Sequence, residues 1–269
     1  MQKAFAKISF LLALCLLFLI AGPAYGWHDK THLAIAQAAS FENWYNCAAP
    51  DVTKTKTKKI EADGKKKGAY DIESPNHWAN NTSLKSGEVV TEKIVWDQVD
   101  QYDKLPKPGD KEEGRLYGAI IASLKEYIRE SNEPEKGKYG GYHLAFCAHY
   151  IGDLSMPLHN VPYGKDKFNN DARHKRNDGI IEYSVLDNIG FIKKNMYHID
   201  IRNEDDLVRH IARIANLSRL LAQKMEKEKD SQERSHVGDM KPEEAYAQVI
   251  HSASLLKAVI KYAQTQTKN

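Results

Sequence analysis

The sequence holds three cysteines, none in a paired motif. Cys15 sits in an apolar N-terminal stretch, which leaves Cys47 and Cys147. Two cysteines make no disulfide framework, although they allow one bridge in an oxidising compartment, and the lack of a CxxC pair excludes zinc-finger chemistry. Neither sign of charge dominates: 39 Lys and Arg stand against 36 Asp and Glu, a net +3. Such a balance carries no global bias toward nucleic acid or membrane. Alternating apolar and polar stretches are missing, and with them the signature of half-buried strands. Nor does the chain have an internal repeat. After its first residues it has no second long apolar run, so residues 27–269 read as soluble.

The first 26 residues form a recognisable unit. Lys3 and Lys7 precede an apolar run from Ile8 to Ala21, and Gly22-Pro23-Ala24-Tyr25-Gly26 follows. A basic start, an apolar middle and small residues at Ala24 and Gly26 describe a secretory signal peptide cut before Trp27. The run is about 14 residues, short of the ~20 that a spanning helix needs. Leu14 stands before Cys15, where a lipoprotein signal needs a small residue. Removing residues 1–26 takes away Lys3 and Lys7 and lowers the net charge from +3 to +1. The product would be secreted or periplasmic.

What remains has helical periodicity. Leu33, Ile35, Ala36, Ala39 and Trp44 give a loose helical face over 29–48. Leu116, Ile120, Ile121, Leu124 and Ile128 mark an amphipathic helix over 108–131. Residues 141–156 are strongly apolar and stop at Pro157. Further helices are expected over 204–228 and 242–265. Residues 51–76 and 160–177 are polar and rich in turn formers, and read as loops; Gly179 to Ile192 is ambiguous. The expectation is all-α, a single compact multi-helix domain over 27–269.

The stretch HYIGDLSMPLH, from His149 to His159, carries chemistry. His149 and Asp153 are four apart and share a helix face. A helix otherwise built from Leu144, Ala145, Phe146, Ala148 and Ile151 has no structural need for a buried imidazole and carboxylate. Burying either unpaired is costly, and a cation would satisfy both; so would a simple hydrogen-bonded pair. Pro157 ends the helix and delivers His159. His174 and Asp178 repeat the four-residue step, either as a solvated pair or, with His159, as the three protein ligands of a catalytic zinc. Asp63 and His77 lie fourteen apart across a lysine-rich stretch, and singly each reads as an ordinary turn or loop residue.

Taken in order, Trp27, His32, Asp63, His77, His149, Asp153, His159, His174 and Asp178 resemble the ligand series of the zinc-dependent phospholipase C and single-strand-specific zinc nuclease superfamily. The resemblance spans residues 27–269, and HYIGDLSMPLH is its most specific piece. It implies three zinc ions: Asp63, His77, His149 and Asp153 hold the first; His159, His174 and Asp178 the second; Trp27 and His32 the third, with Asp153 bridging to the first. Trp27 would bind through its α-amino group and carbonyl, and therefore only after cleavage frees the amine. The implied activity is that of a zinc-dependent phosphoric ester hydrolase using a trinuclear-zinc-activated water, with Asp63 orienting or deprotonating that water besides ligating. His28, His143, His198, His210, His236 and His251 fall outside the pattern.

The ligand series does not choose the substrate. The short Trp27-to-His32 step and Asp178 as last ligand resemble the nucleases; the Asp63-to-His77 step resembles the phospholipases. Gly64 and Ser74 stand where choline-preferring members carry aromatics, so no cation–π cage is evident there. Lysines 54, 56, 58, 59 and 65–67 would attract nucleic acid and anionic lipid alike, and only Tyr70 and Trp78 lie near for stacking bases. The leading expectation is a phospholipase C-like phosphodiesterase acting on phospholipid, with transient contact to a membrane surface. A nuclease or nucleotidase giving 5′-phosphate products is the alternative, and a non-catalytic zinc-binding protein the third. No obligate protein partner is evident.

Overall fold

The computed structural model describes residues 27–54, 73–79, 84, 87–102, 114–133, 139–161, 167–230 and 238–267. Among them every regular element is helical. The α-helices are α1 (Asp29–Ala38), α2 (Ala49–Lys54), α3 (Glu92–Val99), α4 (Leu116–Ser131), α5 (Gly140–Leu154), α6 (Lys167–Asp178), α7 (Ile189–Asn195), α8 (Glu204–Asp230) and α9 (Pro242–Gln266). Short 3₁₀ turns occupy Trp44–Ala48, Ser74–His77 and Pro157–His159. The N-terminal 26 residues, Asp63 and Gly64 lie outside the described residues.

Local chemistry explains where the helices stop. α1 does not run on to residue 48, because Ser40 takes a left-handed backbone with φ of 62°. The amide of Phe41 then donates back to the Ala36 carbonyl and that of Ser40 to Gln37, which caps the orphan carbonyls of the last turn. α3, a helix with no clear signal in the sequence, is short and buries Val95 and Gln98; Thr91 caps it by accepting from the Ile94 amide at 3.4 Å. α9 starts with Pro242 in its first turn, and the Glu244 side chain reaches back to the Lys241 amide at 2.9 Å.

α5 runs through the middle of the molecule. Leu144, Ala145, Cys147, Ala148, Tyr150, Ile151 and Leu154 are all buried, so the helix is apolar on nearly every side. It packs along α4 and touches α1, α8 and α9, and its apolar residues belong to one cluster with those of its neighbours. Burying each large aliphatic side chain contributes about 1.5–3 kcal/mol, which is what holds a helix in such a place. Cys47 and Cys147 are buried free thiols, and burial pushes both thiol pKa values up.

The C-terminal end of α5 is pinned by polar groups. Asn160 donates to the carbonyls of Leu154 and Met156, each at 2.9 Å, and accepts from Tyr117 Oη at 2.9 Å. Arg219 of α8 holds the Asn160 carbonyl at 2.8 Å. Ser218 donates to the Leu154 carbonyl and Ser252 to that of Ile151. The groups left unsatisfied by a helix end thus find partners without water, and the chain leaving α5 has one path.

The reading of 160–177 as a loop is corrected over its second half: residues 167–178 are α6. Within 51–76, residues 51–54 belong to α2 and residues 74–76 to a 3₁₀ turn. The ambiguous 179–192 stretch is a series of turns leading into α7.

Candidate metal centre

The elements converge on one buried cluster of imidazoles and carboxylates. α5 supplies His149 and Asp153 one turn apart at its inner end. The 3₁₀ turn after Pro157 delivers His159, α1 brings His32, the Ser74–His77 turn brings His77, and α6 brings His174 and Asp178. All seven side chains are buried. Together with the buried Asp51 of α2 they fall into three groups of donors: His32, His149 and Asp153; Asp51, His77 and His149; and His159, His174 and Asp178. Within each group the donor atoms lie within 4.8 Å of one another.

Asp153 is the hub. Its Oδ2 is 2.8 Å from His77 Nδ1 and 3.3 Å from His149 Nε2. Its Oδ1 is 3.4 Å from His32 Nε2 and 3.6 Å from His159 Nδ1. One carboxylate therefore faces four imidazoles from three donor groups. His159 Nε2 meets His174 Nε2 at 2.9 Å, and His174 Nε2 meets Asp178 Oδ1 at 3.4 Å.

Backbone and neighbouring carboxylates choose which nitrogen each ring turns inward. His149 Nδ1 donates to the Cys47 carbonyl at 2.6 Å, which leaves Nε2 facing the cluster. His77 has Glu73 Oε1 at 3.3 Å from Nε2, which leaves Nδ1 facing inward. Glu73 also accepts from Tyr150 Oη at 2.6 Å. A metal-binding histidine is held this way, its outer N–H fixed by a carbonyl or carboxylate. His32 is placed by a close approach to Gly152: a Cβ at that position would lie 2.5 Å from His32 Nδ1. The His32 ring stacks on that of His149 at 3.7 Å.

The electrostatics suit a cation. Burial raises the Asp153 carboxyl pKa, but the facing imidazoles, His149 and His159 foremost, outweigh it and hold the group well below the usual carboxylate range. Burial, then the nearby His32, pushes His149 down and keeps it neutral. Burial pushes Glu73 up; its bonds with His77 and Tyr150 and the attraction of His77 and His149 bring it below its ordinary value. Anionic carboxylates and neutral imidazoles are the ligand-competent forms. Among the described residues neither ring nitrogen of His32 finds a hydrogen-bond partner, nor does Asp153 Oδ1. Buried polar atoms in that state call for a partner. Two imidazole nitrogens on one tetrahedral zinc sit about 3.3 Å apart, given Zn–N bonds near 2.0–2.1 Å. The His77–His149 separation of 3.1 Å is close to that. The donor set fits divalent metal ions.

Of the residues singled out in the sequence, His32, His77, His149, Asp153, His159, His174 and Asp178 are brought together. Trp27 lies beside them: it is fully buried, and its indole N–H donates to Ser155 Oγ at 3.3 Å, two residues past Asp153. The amide of His28 donates to the Asp178 carbonyl at 3.4 Å. The expected ligand and water-orienting residue Asp63 lies outside the described residues. The sequence reading missed Asp51, whose Oδ1 is 3.7 Å from His149 Nε2 and 3.8 Å from His77 Nδ1. It also missed Glu73, although Glu73 and His77 repeat the four-residue carboxylate–histidine spacing. Asp51 has no such cue.

Comparison with known proteins adds no family: no family model, no curated protein and no solved structure matches this chain. Among the described residues no helix is long and apolar enough to cross a membrane.

Proposed function

We propose that this chain is an exported zinc-dependent phosphoric ester hydrolase of the phospholipase C-like kind, cleaving the glycerol–phosphate side of a phospholipid. The observation that carries the reading is Asp153, one buried carboxylate set among donors of all three groups. The order of ligands from Trp27 to Asp178 and its resemblance to the zinc phospholipases and nucleases support the same reading.

His77, His149 and Asp153, with Asp51 or Asp63, would hold one zinc, and His159, His174 and Asp178 a second. His32 and Asp153, with the amine and carbonyl of a processed Trp27, would hold a third. Zinc supplies Lewis acidity that neutralises phosphodiester oxygens and makes water a better nucleophile. The chain's own part is to arrange this. Asp153 sets the spacing of the donor groups. The Cys47 carbonyl and Glu73 fix the tautomers of His149 and His77, and the apolar walls of α5 exclude bulk water, which strengthens every charge inside. Asp178 as last ligand and the short step from Trp27 to His32 favour a second reading, a nuclease or nucleotidase releasing 5′-phosphates.

The test is one assay with protein processed to Trp27 and loaded with zinc, given mixed phospholipid micelles in one arm and single-stranded DNA and RNA in the other, each with a chelated control. Chelator-sensitive release of phosphorylated headgroups without nucleotides is expected. Nucleotide release with lipid untouched would replace this reading by the second. Zinc retention without turnover on either substrate would leave a zinc-binding protein. A chain with one extra residue before Trp27 is expected to lose one zinc selectively.

A further inference from the structure

At the far end of α1 from the metal centre, residues Ala39 and Ser40 meet α7, the segment 196–199 and α9 around a cavity of about 580 Å³. That volume suits a small organic ligand. Lys193, Lys257, Lys261 and His198 line it, and no lining residue is Asp or Glu. Elsewhere on the surface lysines stand beside carboxylates, as Lys93 does with Asp97, Lys125 with Glu204 and Lys224 with Glu244. The three lysines of the cavity have no carboxylate partner among the described residues. Lys257 and Lys261 are also one turn apart on α9, so their like charges repel. Arg213, over the Tyr197 ring at 5.6 Å, adds to the positive field.

The walls are fixed in advance. The Tyr197 amide donates to Ser254 Oγ at 3.1 Å, and Tyr197 Oη pairs with His251 Nδ1 at 3.1 Å, tying segment 196–199 to α9. Ser40 is held by its amide's bond to the Gln37 carbonyl, and its neighbour Phe41 by one to the Ala36 carbonyl. Met196 and Ile199 add apolar lining. A preformed pocket lined by both cations and carbon selects an amphiphilic anion, and three cations favour one carrying more than a single negative charge.

We propose that this cavity binds an organic phosphate, its anionic group against Lys193, Lys257 and Lys261 and its carbon part against Met196 and Ile199. Two sources share that chemistry: a water-soluble phosphate ester and the headgroup region of an anionic phospholipid. The assignment does not rest on the hydrolytic reading of the metal centre.

Non-hydrolysable phosphonates separate the two sources without engaging turnover. The zinc-loaded, ¹⁵N-labelled protein would be titrated with methylphosphonate and with hexylphosphonate, following backbone amide shifts. The expected result is a saturable shift at Tyr197, Ile199 and Ser254. In the triple variant Lys193→Gln, Lys257→Gln, Lys261→Gln that binding weakens by about tenfold or more, as removal of charge-assisted contacts requires. Thermal unfolding should not change, since all three lysines are exposed. Tighter binding of hexylphosphonate assigns the lipid source, and equal binding a soluble ester. Shifts confined to residues around the metal centre, or a triple variant that binds like the parent, would overturn the site. Loss of hydrolysis with these shifts intact would count against the metal-centre reading alone.

Discussion

Two helices carry the same histidine–aspartate step and bury it in opposite ways. In α5, His149 and Asp153 ride on an apolar helix, and the core that surrounds them is the reason they are buried. In α6, His174 and Asp178 ride on a polar helix in which Arg173 and Asn177 are buried as well. There the burial depends on bonds. Asn177 accepts from the Met240 amide at 2.7 Å and donates to Asp239 at 3.0 Å. Arg173 donates to the Gly238 carbonyl at 2.8 Å and pairs with Glu226, and Arg176 pairs with Asp239 at 3.0 Å. A buried histidine–aspartate pair needs a dry setting, and either apolar packing or a hydrogen-bonded polar network supplies one.

The comparison can be broken most severely at the hub. Asp153→Ala removes the carboxylate that faces imidazoles of all three donor groups, whereas His174→Ala takes one candidate ligand from one group. On the proposed three-zinc arrangement, metal analysis should find that the first loses more than one zinc per chain and the second only one. Under the proposed hydrolytic reading, several kcal/mol of transition-state stabilisation, and so on the order of 10³-fold in hydrolysis, should go with Asp153. Equal metal loss in the two variants would mean that Asp153 is not shared. Next in size is Glu73→Gln, which keeps a hydrogen-bonding group beside His77 but removes its charge. Zinc affinity should drop about 10–100-fold, as for other outer partners of metal ligands, with the fold unchanged by circular dichroism.

A stability pair sharpens the contrast between the helices. Asn177→Leu strands the Met240 amide and removes a donor to Asp239, and should cost about 1–3 kcal/mol in urea unfolding. Ile151→Val, in the apolar helix, should cost about 0.5–1.5 kcal/mol. If the polar change proved the milder, α6 would not be held by its bonds. The smallest effect belongs to Arg176→Gln, which breaks a half-exposed pair with Asp239. It should cost less than about 1 kcal/mol, and the loss should shrink further in high salt.

The same contrast explains what the sequence made legible. α4, α5, α8 and α9 announce themselves by apolar periodicity, because burial of a stripe is what makes them helices. α6 has no such stripe: Lys167 to Asp178 reads as a polar loop, and the 238–240 segment that satisfies it lies far along the chain. α3 is too short for its two buried residues to form a period. At the metal centre, histidines and aspartates at recurring steps could be picked out along the chain. Asp51 could not, since only folding brings α2 against His77 and His149. The Cys47 carbonyl, which orients His149, is a backbone atom, and no side-chain pattern encodes it.

Gly152 lies inside HYIGDLSMPLH, between the candidate metal ligands His149 and Asp153, yet its own contribution is empty space. The His32 ring occupies the place where a side chain would begin. Mutational tolerance at this position is therefore set by a residue on another helix. In a library of all substitutions at 152, alanine should already behave like the large residues, because the first carbon is the one that collides. Selection for zinc retention in a background where His32 is alanine should relax that intolerance. A single position would then measure how closely α1 must approach α5 for the donor group of His32, His149 and Asp153 to exist.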